Sequence, residues 1–418
     1  MINYNSLDYA RKLDKEDSLG YLRREFYFPE TEDGTTINYF CGNSLGLQPL
    51  SARKYVEEVM ESWQKQAVDG HFNGENPWCE YQNSLAISLS KIVGAKPFEV
   101  GIANTLTVNL HLMMVSFYRP KGKRFKILVE SDLFPSDLYA IESQLRYHGL
   151  DPEDAIIKVY PDDGPLISKG KIEEIINDKG ESIALILLGG VNYYTGQVFD
   201  LKSITSAGHE KGCVVGLDLA HAAGNIELEL HSWGVDFAVW CNYKYLNSGP
   251  GSIAGYFVHE RYAFDQTLPR FAGWWGQSMD TRFNMRKPFD PIPGAEGWVM
   301  SNPPILAMAS IKASMEIFDS VPFTKLREKS VQLTGYLEEL IEGAKLPGVT
   351  ILTPKDPEQR GCQLSLHFEE KGRTIFEYLH KSAVITDWRE PNVIRVAPTP
   401  MYNSYEDIWQ LVEKTIGA

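Results

Sequence analysis

The chain has 418 residues, 43% hydrophobic and 23% charged, the balance of a folded globular protein with a large core. Its 55 acidic against 41 basic side chains give a formal net charge of −14, which argues against nucleic acid as a main partner. No apolar run approaches the roughly 18 residues of a spanning helix, and the opening MINYNSLDYARKLDKED has no apolar region of a signal peptide.

Residues 1–50 are polar and charged and read as an arm laid across the body, ending in the loop Cys41-Gly42-Asn43-Ser44-Leu45-Gly46. From Ser51 the pattern turns helical. Tyr55, Val56, Val59, Met60 and Trp63 share one face, and Leu85, Ile87, Leu89, Ile92 and Val93 fill a second helix. Strands and helices then alternate. Strands are predicted at residues 125–129, 156–160, 183–188, 213–217, 235–240 and 253–258, with helices at 136–147, 171–177 and 204–211. Crossovers of this length predict an α/β fold with a mainly parallel sheet covered on both faces, and the short Gly-rich link before the last strand lets that strand run antiparallel.

After Asn302 the organisation changes. Pro303 and Pro304 open a helix carrying Ile305, Leu306, Met308, Ile311, Met315 and Phe318, and a second carries Leu326, Leu333, Leu337, Leu340 and Ile341. Residues 362–368 then alternate with period two. A large domain over 51–305 and a smaller α+β domain over 306–418 are expected. The five cysteines (Cys41, Cys79, Cys213, Cys241, Cys362) are scattered and lack a C-x-x-C, so they read as reduced thiols of a cytoplasmic protein, with no metal site.

The stretch 213–251 organises the rest. One apolar run ends on Asp218, with His221 three residues later; the next delivers Tyr243 and Lys244 into the loop Asn247-Ser248-Gly249-Pro250-Gly251. Ligands of open α/β sheets collect at the carboxyl ends of strands. A lysine and a carboxylate placed there suit pyridoxal 5′-phosphate, which needs an amine for a Schiff base and an anion at its ring nitrogen. Each residue has a plainer reading. Lys244 alone is a strand terminus, Asp218 the N-cap of a helix from Ala220, His221 a core histidine, and Thr107 the cap of a helix over 108–117. Phe134-Pro135-Ser136-Asp137 is a second helix start, Asn302 an N-cap, and Trp274 part of a covering aromatic loop. Arg395, inside an apolar strand, requires an anion, either a substrate carboxylate or a structural partner.

Together these stretches resemble kynureninase, a pyridoxal-phosphate hydrolase family of the aspartate-aminotransferase fold (fold type I). The matches are CGNSLGLQPL from Cys41, TLTVNLHL from Thr105, FPSDLYAIESQLRYHG from Phe134, DLAHAAG from Asp218, residues 233–247, SNPPI from Ser301 and IRVAP from Ile394. The resemblance implies a seven-stranded sheet sandwiched by helices. It implies that Lys244 forms the Schiff base, Asp218 pairs with the pyridine nitrogen, His221 lies beside the ring and Phe134 stacks on it. Leu106, Thr107, Asp137 and Tyr243 would surround the phosphate end, and Trp274 and Asn302 would come from the neighbouring subunit of a homodimer. Arg395 would hold the substrate carboxylate near Asn43, while His71 and Asn302 match the branch associated with a 3-hydroxylated substrate. Gly189 departs from the serine often found there.

The implied reaction is hydrolysis of L-kynurenine or its 3-hydroxy form to anthranilate or 3-hydroxyanthranilate and L-alanine, in tryptophan degradation or NAD biosynthesis. Lys244 would serve as base and acid, with Tyr243 as a proton relay. Two other readings compete. A cysteine desulfurase or selenocysteine lyase of the same fold needs a mobile nucleophilic cysteine, for which Cys362 is the nearest candidate; a non-catalytic pyridoxal-phosphate-binding protein would bind without turnover.

Overall fold

A computed structural model of the chain describes residues 5–285 and 288–418. Its centre is a seven-stranded sheet in the order Val100–Ile102, Gly255–Val258, Phe237–Trp240, Val214–Asp218, Ile183–Gly189, Lys126–Glu130, Ile156–Val159. The last five of these run parallel; Gly255–Val258 is antiparallel to both of its neighbours. The parallel strands are apolar on both faces because both faces are covered. Leu128, Ile186, Leu188, Val215 and Leu217 enter one core, and Ile127, Val129, Leu185 and Leu187 enter the other. Alternate residues of one continuous apolar run thus feed two separate cores.

The predicted strands recur at 126–130, 156–159, 183–189, 214–218, 237–240 and 255–258, each within about two residues of its expected bounds. Val100–Ile102 was not predicted; three residues are too few to display a period. The predicted helix from Ala220 is absent. Residues 220–224 form turns, and Gly224 has φ +80°, where a Cβ would stand 2.8 Å from the Leu246 side chain.

A four-stranded antiparallel sheet, ordered Asp387–Arg389, Val393–Val396, Leu364–Phe368, Val349–Ile351, forms a third core with the helices Phe323–Ala344 and Tyr405–Ile416. The arm joins it. Ala10 and Phe40 pack into that core, and Asn38–Tyr39 pairs in parallel with Val384–Ile385. The helix Ile305–Asp319 instead packs on Ala52–Gln66, and Met308, Ile311 and Met315 join the core beneath the large sheet, as does Leu326. The packing therefore changes over inside the long helix Phe323–Ala344 and not at residue 305. In Ala52–Gln66, Tyr55 and Val59 are buried while Met60 and Trp63 are 47% and 57% exposed, so half of the apolar face is left open. No helix of the described residues is long and apolar enough to cross a membrane.

Candidate active site

Adjacent parallel strands bring their carboxyl ends to one pocket. The strand Lys126–Glu130 ends on Glu130, Ile183–Gly189 on Gly189 and Val214–Asp218 on Asp218, while Phe237–Trp240 leads into Tyr243 and Lys244. All of these line the pocket, with Leu106, Thr107, Phe134, Ser136, Asp137, Tyr193 and His221. The structure therefore gathers Lys244, Asp218, His221, Tyr243, Phe134, Leu106, Thr107 and Asp137 from four separated stretches of sequence.

Lys244 Nζ lies 3.0 Å from His221 Nε2 and 6.0 Å from the centroid of the Phe134 ring. His221 is buried, and burial together with the Lys244 and Arg395 charges holds its imidazole well below its ordinary range. It is neutral, Nε2 accepts from the ammonium, and the proton sits on Nδ1, a tautomer assigned from this contact. That Nδ1 is buried and has no partner among the described residues.

Asp218 is buried, and its Oδ1 accepts from the Ala220 backbone N–H at 2.8 Å. Burial pushes its carboxyl up; the Ala220 N–H, Asp137 and the Lys244 charge pull it back. For Asp137, burial and the Asp218 charge both act upwards, and its side chain hydrogen-bonds Asp218. Asp137 is therefore the protonated partner and Asp218 the carboxylate. This corrects the expectation that the Asp137 side chain lies at the phosphate end: it faces Asp218, where a shared proton relieves the repulsion of two anions. Burial likewise pushes the Tyr243 phenol above its ordinary range, so it stays protonated and serves as a hydrogen-bond donor.

At the other end of the pocket two helices begin, Leu106–Phe117 and Pro135–Tyr147, and neither has a side-chain cap. The N-cap of the first is Thr105, so Thr107 does not cap it; the Thr107 hydroxyl instead lies 3.0 Å from the Ser136 hydroxyl. First-turn N–H groups of Leu106–Phe117 and the N–H of Ser136, with two hydroxyls between them, make a seat for a phosphate; Pro135 has no N–H, and that of Asp137 bonds the Phe134 carbonyl.

Arg395 lies behind the pocket and is completely buried. It donates to Asp387 Oδ1 from Nε at 3.0 Å, to the Tyr193 carbonyl from Nη1 at 2.7 Å and to Ser44 Oγ from Nη2 at 3.3 Å. In this state its anion is Asp387. Asn43 is also buried; its Nδ2 donates to Gln363 Oε1 at 2.9 Å, its Oδ1 has no partner, and Gln363 reaches the same Tyr193 carbonyl. Tyr193 connects this network to the pocket, its ring edge-on to Phe134 at 5.2 Å.

Three expected residues stand apart from the pocket of their own chain. Trp274 is 41% exposed and donates from Nε1 to the Arg282 carbonyl. Asn302 is exposed and is not an N-cap, a place Pro304 takes. His71 is half-buried, edge-on to Trp78 with ring centroids 5.0 Å apart. Conversely, Glu130 and Tyr193 line the pocket without having been singled out. Glu130 ends an apolar strand one residue beyond its predicted limit, and that is the signal that could have found it.

The chain is 54% identical to a kynureninase of Flavobacterium psychrophilum, over 100% of this chain and 99% of the relative. It is 50% identical to one of Myxococcus xanthus, over 99% and 97%. The chain belongs to the kynureninase family. Residues 326–415 match the model of the kynureninase C-terminal domain. Among solved structures, a cysteine desulfurase of Thermococcus onnurineus is similar with a TM-score of 0.76 at 16% identity, covering 94% of this chain and 96% of that one. The cystine C-S lyase C-DES, in complex with cysteine persulfide, also scores 0.76 at 16% identity, over 91% and 97%. At such identity the likeness is one of fold.

Proposed function

We propose that this member of the family is a pyridoxal-phosphate-dependent kynureninase. It hydrolyses L-kynurenine, its 3-hydroxy form or both to L-alanine and the matching anthranilate, in tryptophan degradation or NAD biosynthesis in the cytoplasm. The observation that carries the reading is one pocket holding the Lys244 amine and the buried Asp218 carboxylate, in a chain 54% identical to a kynureninase along its whole length.

The residues present fit the cofactor. Lys244 offers the amine for its aldehyde, Asp218 an anion for its ring nitrogen, and His221 Nδ1 a buried donor without a partner. Phe134 presents a half-open ring beside Lys244, and Leu106, Thr107, Ser136 and Tyr243 line the uncapped helix starts and the wall beside them. When bound, the cofactor supplies an electron-accepting ring that stabilises negative charge at the substrate α- and β-carbons. Lys244 then removes and returns the substrate protons at its Nζ. Asp218 keeps the ring nitrogen protonated, Asp137 keeps Asp218 from sharing that proton too freely, and neutral His221 holds Lys244 Nζ in place. Arg395, with Asn43 beside it, binds the substrate carboxylate in exchange for part of its contact with Asp387.

A second copy of the chain completes the site in this reading. Trp274, Asn302 and His71 are displayed at the surface away from their own pocket, and Phe72 and Phe283, both at least half exposed, extend Trp274 into an aromatic patch. A homodimer would bury that patch and deliver these side chains to the partner's pocket. The desulfurase reading fits less well, because all five cysteines are buried and burial pushes the Cys362 thiol up to about 12.

The test is a steady-state comparison of kynurenine and 3-hydroxykynurenine on protein purified with pyridoxal phosphate, with borohydride fixation of the cofactor. Alanine release and a label on the peptide containing Lys244 are expected. A label elsewhere, or sulfide released from cysteine in place of alanine from kynurenine, overturns the reading.

A further inference from the structure

Three adjacent parallel strands end side by side on Glu130, Gly189 and Asp218, with Gly189 and Asp218 paired in register. Glu130 is 3% exposed, yet it lines the pocket and, among the described residues, forms no ion pair. Both its carboxylate oxygens lie 3.2 Å from the Gly189 backbone nitrogen. Residue 189 leaves this seat clear: a Cβ there would stand 2.9 Å from Glu130 Oε1, and the carboxyl would have to shift. The next N–H, of Gly190, donates to the Asp218 carbonyl at 3.0 Å, so one short turn ties the Glu130 carboxyl to the strand end that bears Asp218.

We propose that Glu130 is a positioning residue that acts through Asp218, its charge state setting how firmly Asp218 holds the proton of the cofactor ring nitrogen. This rests on the cofactor reading given above. The titratable groups around Glu130 are Asp218 on the neighbouring strand, Asp137 at the start of the helix Pro135–Tyr147 and Asp132 in the loop after its own strand; Lys244 is the cation that acts on Asp218 and Asp137. Burial pushes the Glu130 carboxyl up to about 7, against the N–H of Gly189. Neutral Glu130 leaves Asp218 as the one anion beside the ring; ionised Glu130 adds a second negative charge behind it, which favours the protonated ring. The Gly189 position thus exchanges a side chain at the pocket for a buried titratable acid.

The experiment measures the dissociation constant of pyridoxal phosphate by equilibrium dialysis, below and above neutral pH, for wild type and Glu130→Gln. The amide keeps an acceptor for the Gly189 N–H and removes the charge. The wild-type affinity is expected to gain about tenfold on the variant as pH rises through neutrality, the effect of roughly one pKa unit of coupling. A ratio of the two constants that stays the same on both sides overturns the proposal. Should Glu130→Gln not fold, Glu130→Asp takes its place, and it must retain the pH step with a displaced midpoint; an undisplaced midpoint also counts against Glu130. Wild-type protein that binds no cofactor, or fixes it away from Lys244, fails the cofactor reading itself. Cofactor fixed on Lys244 with a pH-independent affinity ratio fails Glu130 alone.

Discussion

Lys244 Nζ and His221 Nε2 are 3.0 Å apart, and the imidazole between the lysine and the protein interior is neutral. A neutral imidazole at that distance holds the Lys244 Nζ by a hydrogen bond, whereas a carboxylate there would hold it as an ion pair. The carboxyl groups of the pocket cluster about Asp218, and the Lys244 charge acts on both Asp218 and Asp137.

Replacing Lys244 by Ala removes both the amine and the base. Turnover is expected to fall by about 10³-fold or more, and the visible absorbance of the bound cofactor to disappear. Lys244 is only half-buried, so the unfolding temperature of the cofactor-free protein should move by no more than about 1 °C, the equivalent of roughly 1 kcal/mol in a chain of this length. Absorbance spectra and thermal unfolding of the purified variant check this, and wild-type-like turnover would refute the role.

Asp218→Asn keeps an oxygen for the Ala220 N–H while losing the charge. A charge-assisted hydrogen bond is worth about 1.5–3 kcal/mol, so cofactor affinity is expected to drop by roughly 10- to 100-fold with the fold intact. The rate on saturating cofactor should fall further, since the ring nitrogen loses its counter-anion. An unchanged rate in steady-state assays with excess cofactor would place ring protonation elsewhere.

Much of this site was legible because parallel strands buried on both faces must be continuous apolar runs, so the polar residues that break those runs mark the strand ends. That logic located Asp218, Tyr243 and Lys244 and the helix starts at Thr107 and Phe134. It stopped one residue short at Glu130, since a carboxyl at the end of a strand reads as solvent-facing until its neighbours bury it. The turn after Asp218 misled for a local reason: Leu219 to Ala223 has helical composition, but Gly224 takes a positive φ of +80° and the chain turns there. Arg395 was left between two anions, and only the folded chain reveals Asp387 against it, from a strand eight residues earlier. Trp274, Asn302 and His71 lie away from the pocket of their own chain, a separation in space that no periodicity encodes.

Asp387 and Arg395 form a pair whose breakage should be costly. Burial pushes the Asp387 carboxyl up, but Arg395, Ser44 and Arg389 outweigh it and hold the group below its ordinary range. A depressed carboxyl contributes stability above its unfolded pKa of about 3.9 and loses it as pH falls through the lower folded value. Asp387→Asn leaves the completely buried Arg395 without its anion, so a loss of about 3 kcal/mol at neutral pH is expected. Denaturant unfolding should find this gap closing under acid conditions. Since Arg395 is freed, a KM for kynurenine that responds to the variant more than kcat does would support its role at the substrate carboxylate; a kcat effect alone would speak against it.

Glu130 carries the opposite sign. Its carboxyl lies at about 7 in the folded chain against an ordinary 4.5, chiefly through burial, so the folded state favours the protonated form. The stability this provides is complete below about pH 4.5 and is lost as pH rises through about 7. The shift corresponds to a loss of about 3 kcal/mol, an upper value because the site relaxes when the group ionises. Glu130→Gln cannot ionise and escapes the loss while keeping an acceptor for the Gly189 N–H. In cofactor-free protein the variant should therefore gain on wild type in unfolding free energy between acid and mildly alkaline pH, by up to about 3 kcal/mol. Chemical denaturation of both proteins across that window measures it. Parallel pH profiles would mean that Glu130 is already ionised in the folded chain, and that Gly189 alone does not hold it in a neutral form.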